Sequence, residues 1–193
     1  MTLTVMDERA ALVVIDLQKA TVARTTEPPT AEVVQRSAEL AKAFRDRGLP
    51  VVLVNVTGGA PGRTDATQAQ AKAQTQTPKR PADWAELVPE LDAHPDDLRV
   101  TKQTWGAFHG TSLHGDLQAR GVTQVVLTGI ATSIGVESTA RAAHEHGYHV
   151  VLAVDAMSDL DPVTHRHSIE RVFPRLGETA TTAEILEVLT RVG

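Results

Sequence analysis

A three-layer α/β/α domain built on a doubly wound, mostly parallel sheet is the fold class this sequence predicts, and three observations carry it. Short β-branched apolar runs recur along the 193 residues, several too uniformly apolar for a sheet with one face in water. Helix-period segments lie between them, giving a β-α-β-α alternation. Glycines and capping residues fall at the junctions, where an alternating fold needs them.

The elements follow in order. Ala11 to Ile15 is the first buried strand, closed by Asp16, and Ala31 to Arg47 has the spacing of an amphipathic helix that stops at Gly48. Pro50 to Val56 and Leu98 to Thr101 are the next two strands, the latter followed at once by Lys102. Ser112 to Arg120 reads as a helix ended by Gly121, and Thr123 to Thr128 as a strand that delivers the chain into the helix Ser133 to His146, which ends before Gly147. His149 to Val154 is a fifth strand. Asp161-Pro162 supplies an N-cap and a first-turn proline for a helix over Asp161 to Arg175, and Thr181 with Glu184 fits a capping box for the last helix.

Thr57 to Pro81 departs from this pattern. Gly58, Gly59, Gly62, Pro61, Pro78 and Pro81 bracket the polar stretch Ala66 to Thr77, and a length like this without strand pattern serves as a lid, a binding loop or a subunit contact, or is a tolerated insertion or an extra exposed helix. No second-domain boundary follows from it, so residues 1–193 read as one domain.

Composition narrows the function classes. With 41% hydrophobic and 22% charged residues the chain can bury a sizeable core. A net charge of −5, with 19 Lys and Arg scattered along the chain, gives no footprint for nucleic acid or an anionic membrane, which leaves a small-molecule partner. The absence of cysteine excludes disulfides, thiolate-bound metals and thiol catalysis and is compatible with a reducing compartment. The N-terminal residues lack the long apolar core of a signal peptide or membrane span, so the expected location is the cytoplasm.

Ligands of open parallel sheets bind beyond the carboxyl ends of the strands near the topological switch. Asp16, the segment after Val56, Lys102 and the turn after Thr128 are therefore expected in one crevice. Burial behind five apolar residues raises the pKa of Asp16, whereas a nearby Lys102 lowers it; the balance depends on their separation. The turn Gly129-Ile130-Ala131-Thr132-Ser133-Ile134-Gly135 stands at a helix start, where backbone N–H groups can face an anion or a developing oxyanion. It is no phosphate loop, since it has neither Gly-x-Gly-x-x-Gly nor a Gly-Lys-Ser/Thr ending.

Three separated motifs, Val13-Val14-Ile15-Asp16-Leu17-Gln18, Thr101-Lys102 with Trp105-Gly106-Ala107-Phe108, and Gly129 through Ala140, together resemble the isochorismatase-like hydrolase superfamily, also called the cysteine hydrolases. The likeness runs on through Gly147-Tyr148 and Val154-Asp155-Ala156. It implies a six-stranded parallel sheet with helices on both faces, assembly as a homodimer or homotetramer, and a catalytic set of Asp, Lys and Cys. Asp16 and Lys102 match the first two, and Gly135 stands in the cysteine's place. Ser133 and Ser138 are displaced along the turn and helix, so covalent amide hydrolysis is not expected. Isochorismatases also carry glycine there and hydrolyse a vinyl ether, with the Asp as proton donor.

This chain differs from those enzymes at Ala131 and Ser133, where they commonly carry an aromatic residue and a histidine. The Asp-x-His by which nicotinamidases hold a metal is replaced by Asn55-Val56-Thr57-Gly58, so neither a metal nor another cofactor is implied. The family likeness also places a non-proline cis peptide at Ile130–Ala131. Expected substrate-binding residues are Ile130, Ala131, Thr132, Ser133, Trp105 and Phe108, with Arg63 and Arg80 available to hold a carboxylate. Trp84 is a helix anchor, pocket wall or subunit contact. The histidine pairs 144/146 and 165/167 are two apart on helices, point to different sides and lack the spacing of a shared metal face; His109 is not expected to be catalytic.

The expected function is thus hydrolysis of a small molecule without a cysteine nucleophile, with Asp16 as general acid/base beside Lys102, and vinyl-ether cleavage of isochorismate to a dihydrodiol and pyruvate as the specific case. Two alternatives stand beside it: a non-enzymatic binding or scaffold member of the family, and a cysteine amidase carrying a Cys-to-Gly change at Gly135.

Overall fold

The computed structural model describes residues 3–59, 62–65, 68 and 81–191. Six parallel strands form one sheet in the order β3-β2-β1-β4-β5-β6. They are β1 (Ala10–Ile15), β2 (Val51–Val56), β3 (Leu98–Lys102), β4 (Gln124–Ile130), β5 (His149–Ser158) and β6 (Glu178–Ala180). The chain winds outward from β1 to β3, returns to place β4 on the other side of β1, and continues to β6. The switch point therefore lies between β1 and β4, which pair from Ala10 with Gln124 to Ile15 with Gly129.

Side chains alternating along β1 feed two cores. Ala10, Leu12 and Val14 join the cluster under α2 (Thr30–Asp46), which buries Val33, Leu40, Ala41 and Phe44. Ala11, Val13 and Ile15 join the opposite cluster, with Leu113 and Leu117 of α3 (Leu113–Ala119) and Ala140 and Ala143 of α4 (Glu137–Glu145). Both faces of the sheet are thus covered, the condition its apolar runs predict. A short α1 (Lys19–Val22) follows Asp16.

Three expectations change in detail. Strand β5 continues past Val154 to Ser158, after a register shift against β4 between Leu127 and Gly129. The expected helix over Asp161 to Arg175 is broken into α5 (Pro162–His167), a wide π-helical turn at Ser168–Val172 and a tight turn at Phe173–Arg175. Pro174 is the physical reason, because it supplies no N–H and its ring crowds the preceding turn. The sixth strand is only three residues long, too short for a period to be read, and pairs Glu178 to Ala180 with Val151 to Ala153.

The caps stand where the sequence places them. Asp161 accepts from Val163 N at 2.8 Å, and at the start of α6 (Thr182–Arg191) Glu184 Oε2 accepts from Thr181 N at 2.8 Å. Of the segment 57–81, residues 60, 61, 66, 67 and 69–80, Arg80 included, lie outside the described residues. No described helix is long and apolar enough to cross a membrane.

Candidate active site

Asp16 is the first residue beyond β1, and its backbone takes a left-handed turn at φ 53°. Aspartate tolerates this region better than most side chains, at a cost of roughly 1 kcal/mol. The turn is held because Asp16 N donates to Val54 O at 2.9 Å while Asp16 O accepts from Gln18 N at 2.9 Å and from the Thr21 hydroxyl. Gln18, fully buried, ties this loop to the end of β2: its Oε1 accepts from Val56 N at 2.8 Å and its Nε2 donates to Val56 O at 3.1 Å.

Lys102 ends β3, two strands from β1, and reaches across the end of β2 to Asp16. Its Nζ lies 2.7 Å from Asp16 Oδ2, with the side chains 1% and 8% exposed. The ammonium also donates to Trp105 O at 2.6 Å and Thr104 O at 3.3 Å, so its three protons have three acceptors. Asp16 Oδ1, by contrast, is buried and has no hydrogen-bond partner among the described residues. Burial pushes the Asp16 carboxyl up to about 6, against the lowering pull of Lys102. The two opposing effects named from sequence are therefore ranked: desolvation outweighs an ammonium in direct contact.

The third component arrives from β4. Gly129 has φ 119°, and a Cβ there would come within 2.0 Å of Ile15 O, so only glycine lets β4 pass β1 this closely. The Ile130–Ala131 peptide is cis, as the likeness implied. Residues Thr132–Val136 form a π-helical turn that leads into α4. Within it Gly135 lies against the acid: a Cβ on Gly135 would stand 3.4 Å from Asp16 Oδ2 and 3.1 Å from Ile15 Cγ2. The turn thus lies against Asp16 at Gly135.

Its N–H groups are more engaged than the sequence suggests. Ser133 N donates to Asp159 Oδ2 at 2.7 Å, and Ile134 N and Val136 N donate to Ala131 O, each at 3.1 Å. The Ser133 backbone N–H is therefore engaged by the protein itself. Thr132 is fully buried with its hydroxyl 2.8 Å from His165 Nδ1, and Ile130 is buried, whereas Ala131 is half-buried.

The other expected residues divide. Trp105 touches the site through its carbonyl on Lys102, while its side chain is 63% exposed. Phe108 is buried, and its ring packs against His146 and Tyr148, with centroids 5.2 and 6.0 Å away. Arg63 is exposed and is not a partner of either Asp16 oxygen. Trp84 contributes its carbonyl to Ala20 N and Gln18 Nε2. Asn55, at the strand end where a metal-binding relative would place its ligands, accepts from Thr101 Oγ1 at 2.7 Å and donates to Ala85 O at 3.0 Å. In the sequence Asp159 carries no signal, and His165 reads only as one of a pair that lacks metal spacing. Nothing in their spacing links them to a turn 26 and 33 residues earlier.

Fold and site together define a doubly wound α/β domain with a buried acid–lysine pair under a strand-to-helix turn at the sheet's switch point. The chain belongs to the isochorismatase family: the family's domain model, described as the isochorismatase domain, matches residues 10–184. It is 41% identical over 186 residues to the isochorismatase family protein YwoC of Bacillus subtilis (strain 168), covering 96% of this chain and 97% of that one. It is 32% identical over 182 residues to the ureidoacrylate amidohydrolase RutB of Methylobacterium radiotolerans, covering 84% of this chain and 70% of that one. An isochorismatase family protein of Burkholderia thailandensis has a similar solved structure, with TM-score 0.87, 39% identity, and 96% and 98% of the two chains covered.

Proposed function

We propose that this protein hydrolyses a small molecule by proton transfer from Asp16, without forming a covalent intermediate on the enzyme, and that its substrate is a vinyl ether of the isochorismate type. The observation that carries the reading is the Asp16 carboxyl: pushed up to about 6, with Oδ1 unpartnered among the described residues, beside a glycine where a thiol would otherwise stand. A carboxyl with a pKa near working pH is a competent proton donor as well as acceptor.

In such a reaction protonated Asp16 gives its proton to the terminal carbon of the enol ether, leaving an oxocarbenium ion. Water adds to the cationic carbon that bears the ether oxygen and returns a proton to Asp16, and the hemiketal collapses to pyruvate and the ring alcohol. Lys102 stabilises the carboxylate that forms as the proton leaves. Its three acceptors hold it on Oδ2, so Oδ1 is the oxygen left for the substrate. Gly135 leaves the volume a side chain would fill beside Asp16.

The test is continuous measurement of pyruvate release from isochorismate, with Asp16→Asn run alongside. Release that disappears in Asp16→Asn supports the reading; a rate equal to the enzyme-free control rejects isochorismate. Likeness to a ureidoacrylate amidohydrolase favours a second reading, in which ionised Asp16 activates water toward a C–N bond. The two differ in pH dependence: kcat/KM falls as pH rises through about 6 for an acid and rises for a base.

A further inference from the structure

The site turn is gripped on the side away from Lys102 by two residues of the connection after β5. Asp159, 3% exposed, accepts from Ser133 N at 2.7 Å through Oδ2 and from Leu160 N at 2.8 Å through Oδ1. Six residues on, His165 Nδ1 meets the buried Thr132 hydroxyl at 2.8 Å. Burial lowers the pKa of His165 against the opposing charges of Asp159 and Glu27, so the ring is neutral at neutral pH. Successive residues of the turn are thus tied to one connection, and three residues later the same turn lies on Asp16 through Gly135.

We propose that Asp159 and His165 are positioning residues which, acting through Ser133 and Thr132, hold the turn down on Asp16 and keep water from its carboxyl. Neither touches the reacting atoms. The inference rests on the proposed function only in taking Asp16 as the working group. A carboxyl that owes its raised pKa to burial loses it when its cover lifts, so the clamp is read out at Asp16 without any substrate.

The experiment is a carbon-13 NMR titration of the Asp16 carboxyl, assigned by its loss in Asp16→Asn, combined with amide exchange of the turn in the intact chain. It compares wild type with Asp159→Ala, Asp159→Asn, His165→Ala and His165→Asn. The asparagines keep a group able to bond Ser133 N or the Thr132 hydroxyl. In both alanine variants the Asp16 pKa is expected to fall from about 6 toward 3.8, and the Thr132–Val136 amides to exchange about tenfold faster. Both asparagine variants are expected to stay near wild type. An unchanged Asp16 pKa and unchanged exchange in the alanine variants overturn the proposal, as does an equal fall in the asparagine variants. Should the alanine variants not fold, Thr132→Val, which removes one hydroxyl at constant shape, must show the fall; if it does not, the clamp is rejected. A wild-type Asp16 that titrates near 3.8 removes the acid of the proposed function, and the exchange rates alone then decide the clamp.

Discussion

Replacing Lys102 by methionine removes the ammonium and leaves a stem of similar length in a slot that is 2% exposed. Asp16 titrates at about 6 with Nζ 2.7 Å from Oδ2, so the burial effect already exceeds the pull of the charge. An opposite charge at such range lowers a carboxyl by about 1–3 units, and without it Asp16 is expected at about 7–9. At about 1.4 kcal/mol per unit, a rise from 3.8 to about 6 costs the wild-type fold about 3 kcal/mol once Asp16 ionises. In Lys102→Met that cost grows by roughly 1.4–4 kcal/mol. The folded pKa lies above the unfolded one, so the cost is absent below about 3.8, builds as pH rises, and is complete only above the folded pKa. Wild type therefore bears all of it by a little above pH 6, whereas the variant goes on losing stability to about pH 9. The lost Lys102 hydrogen bonds add a deficit that does not vary with pH. Denaturant unfolding of both proteins at pH 5, 7 and 9, with the Asp16 titration beside it, reads the difference. An Asp16 pKa at or below about 6 in the variant, or an equal stability gap at pH 5 and pH 9, would refute this ranking of burial over charge.

In wild type, if Asp16 is the acid, kcat/KM on isochorismate falls about tenfold per pH unit above about 6, and a flat profile through that range would remove Asp16 from the proton-transfer step. Gly135→Ala places a methyl 3.1 Å from Ile15 Cγ2 and 3.4 Å from Asp16 Oδ2. Because Ala gains about 0.5–1 kcal/mol over Gly in a helix, the melting temperature should move by only a few degrees while turnover drops at least tenfold. Gly129→Ala meets the Ile15 carbonyl at 2.0 Å with φ at 119° and should cost more than about 4 kcal/mol, seen as loss of soluble folded protein on expression. Asp97→Ala leaves Arg45, 2.8 Å away and 19% exposed, without its carboxylate; chemical denaturation should show a loss of about 3 kcal/mol.

The layers of this fold are written in local pattern, and so were legible: β1 is buried over its whole length, and its runs of valine, leucine and isoleucine suit no half-wet sheet. Asp16, Lys102 and Gly135 could be placed in one crevice because strand ends converge at a switch point and the motif likeness fixes their order. What could not be read are quantities set by three-dimensional packing. Whether burial or Lys102 governs Asp16 depends on a 2.7 Å contact and on what covers it. Phe108 stands six residues past Lys102, yet its ring goes to His146 and Tyr148 because the turn after β3 carries it into the core beneath α4. Asp159 sits just past a strand whose end the apolar pattern places four residues early, at Val154, and His165 lies on a helix broken by Pro174. Their partners in the turn are long-range, and no periodicity records a long-range hydrogen bond.

Lys102 belongs to β3, the edge of the sheet, while Asp16 belongs to β1 near its middle, so the acid–lysine pair spans three adjacent strands. Edge strands are the first part of a sheet to open, since they have a neighbour on one side only. The protein therefore carries the Lys102 ammonium on one of its two edge strands, and the dwell time of that edge, fastened at its far end by Arg45 on Asp97 and Leu91 O, caps the fraction of molecules in which the Asp16–Lys102 pair is assembled at any instant.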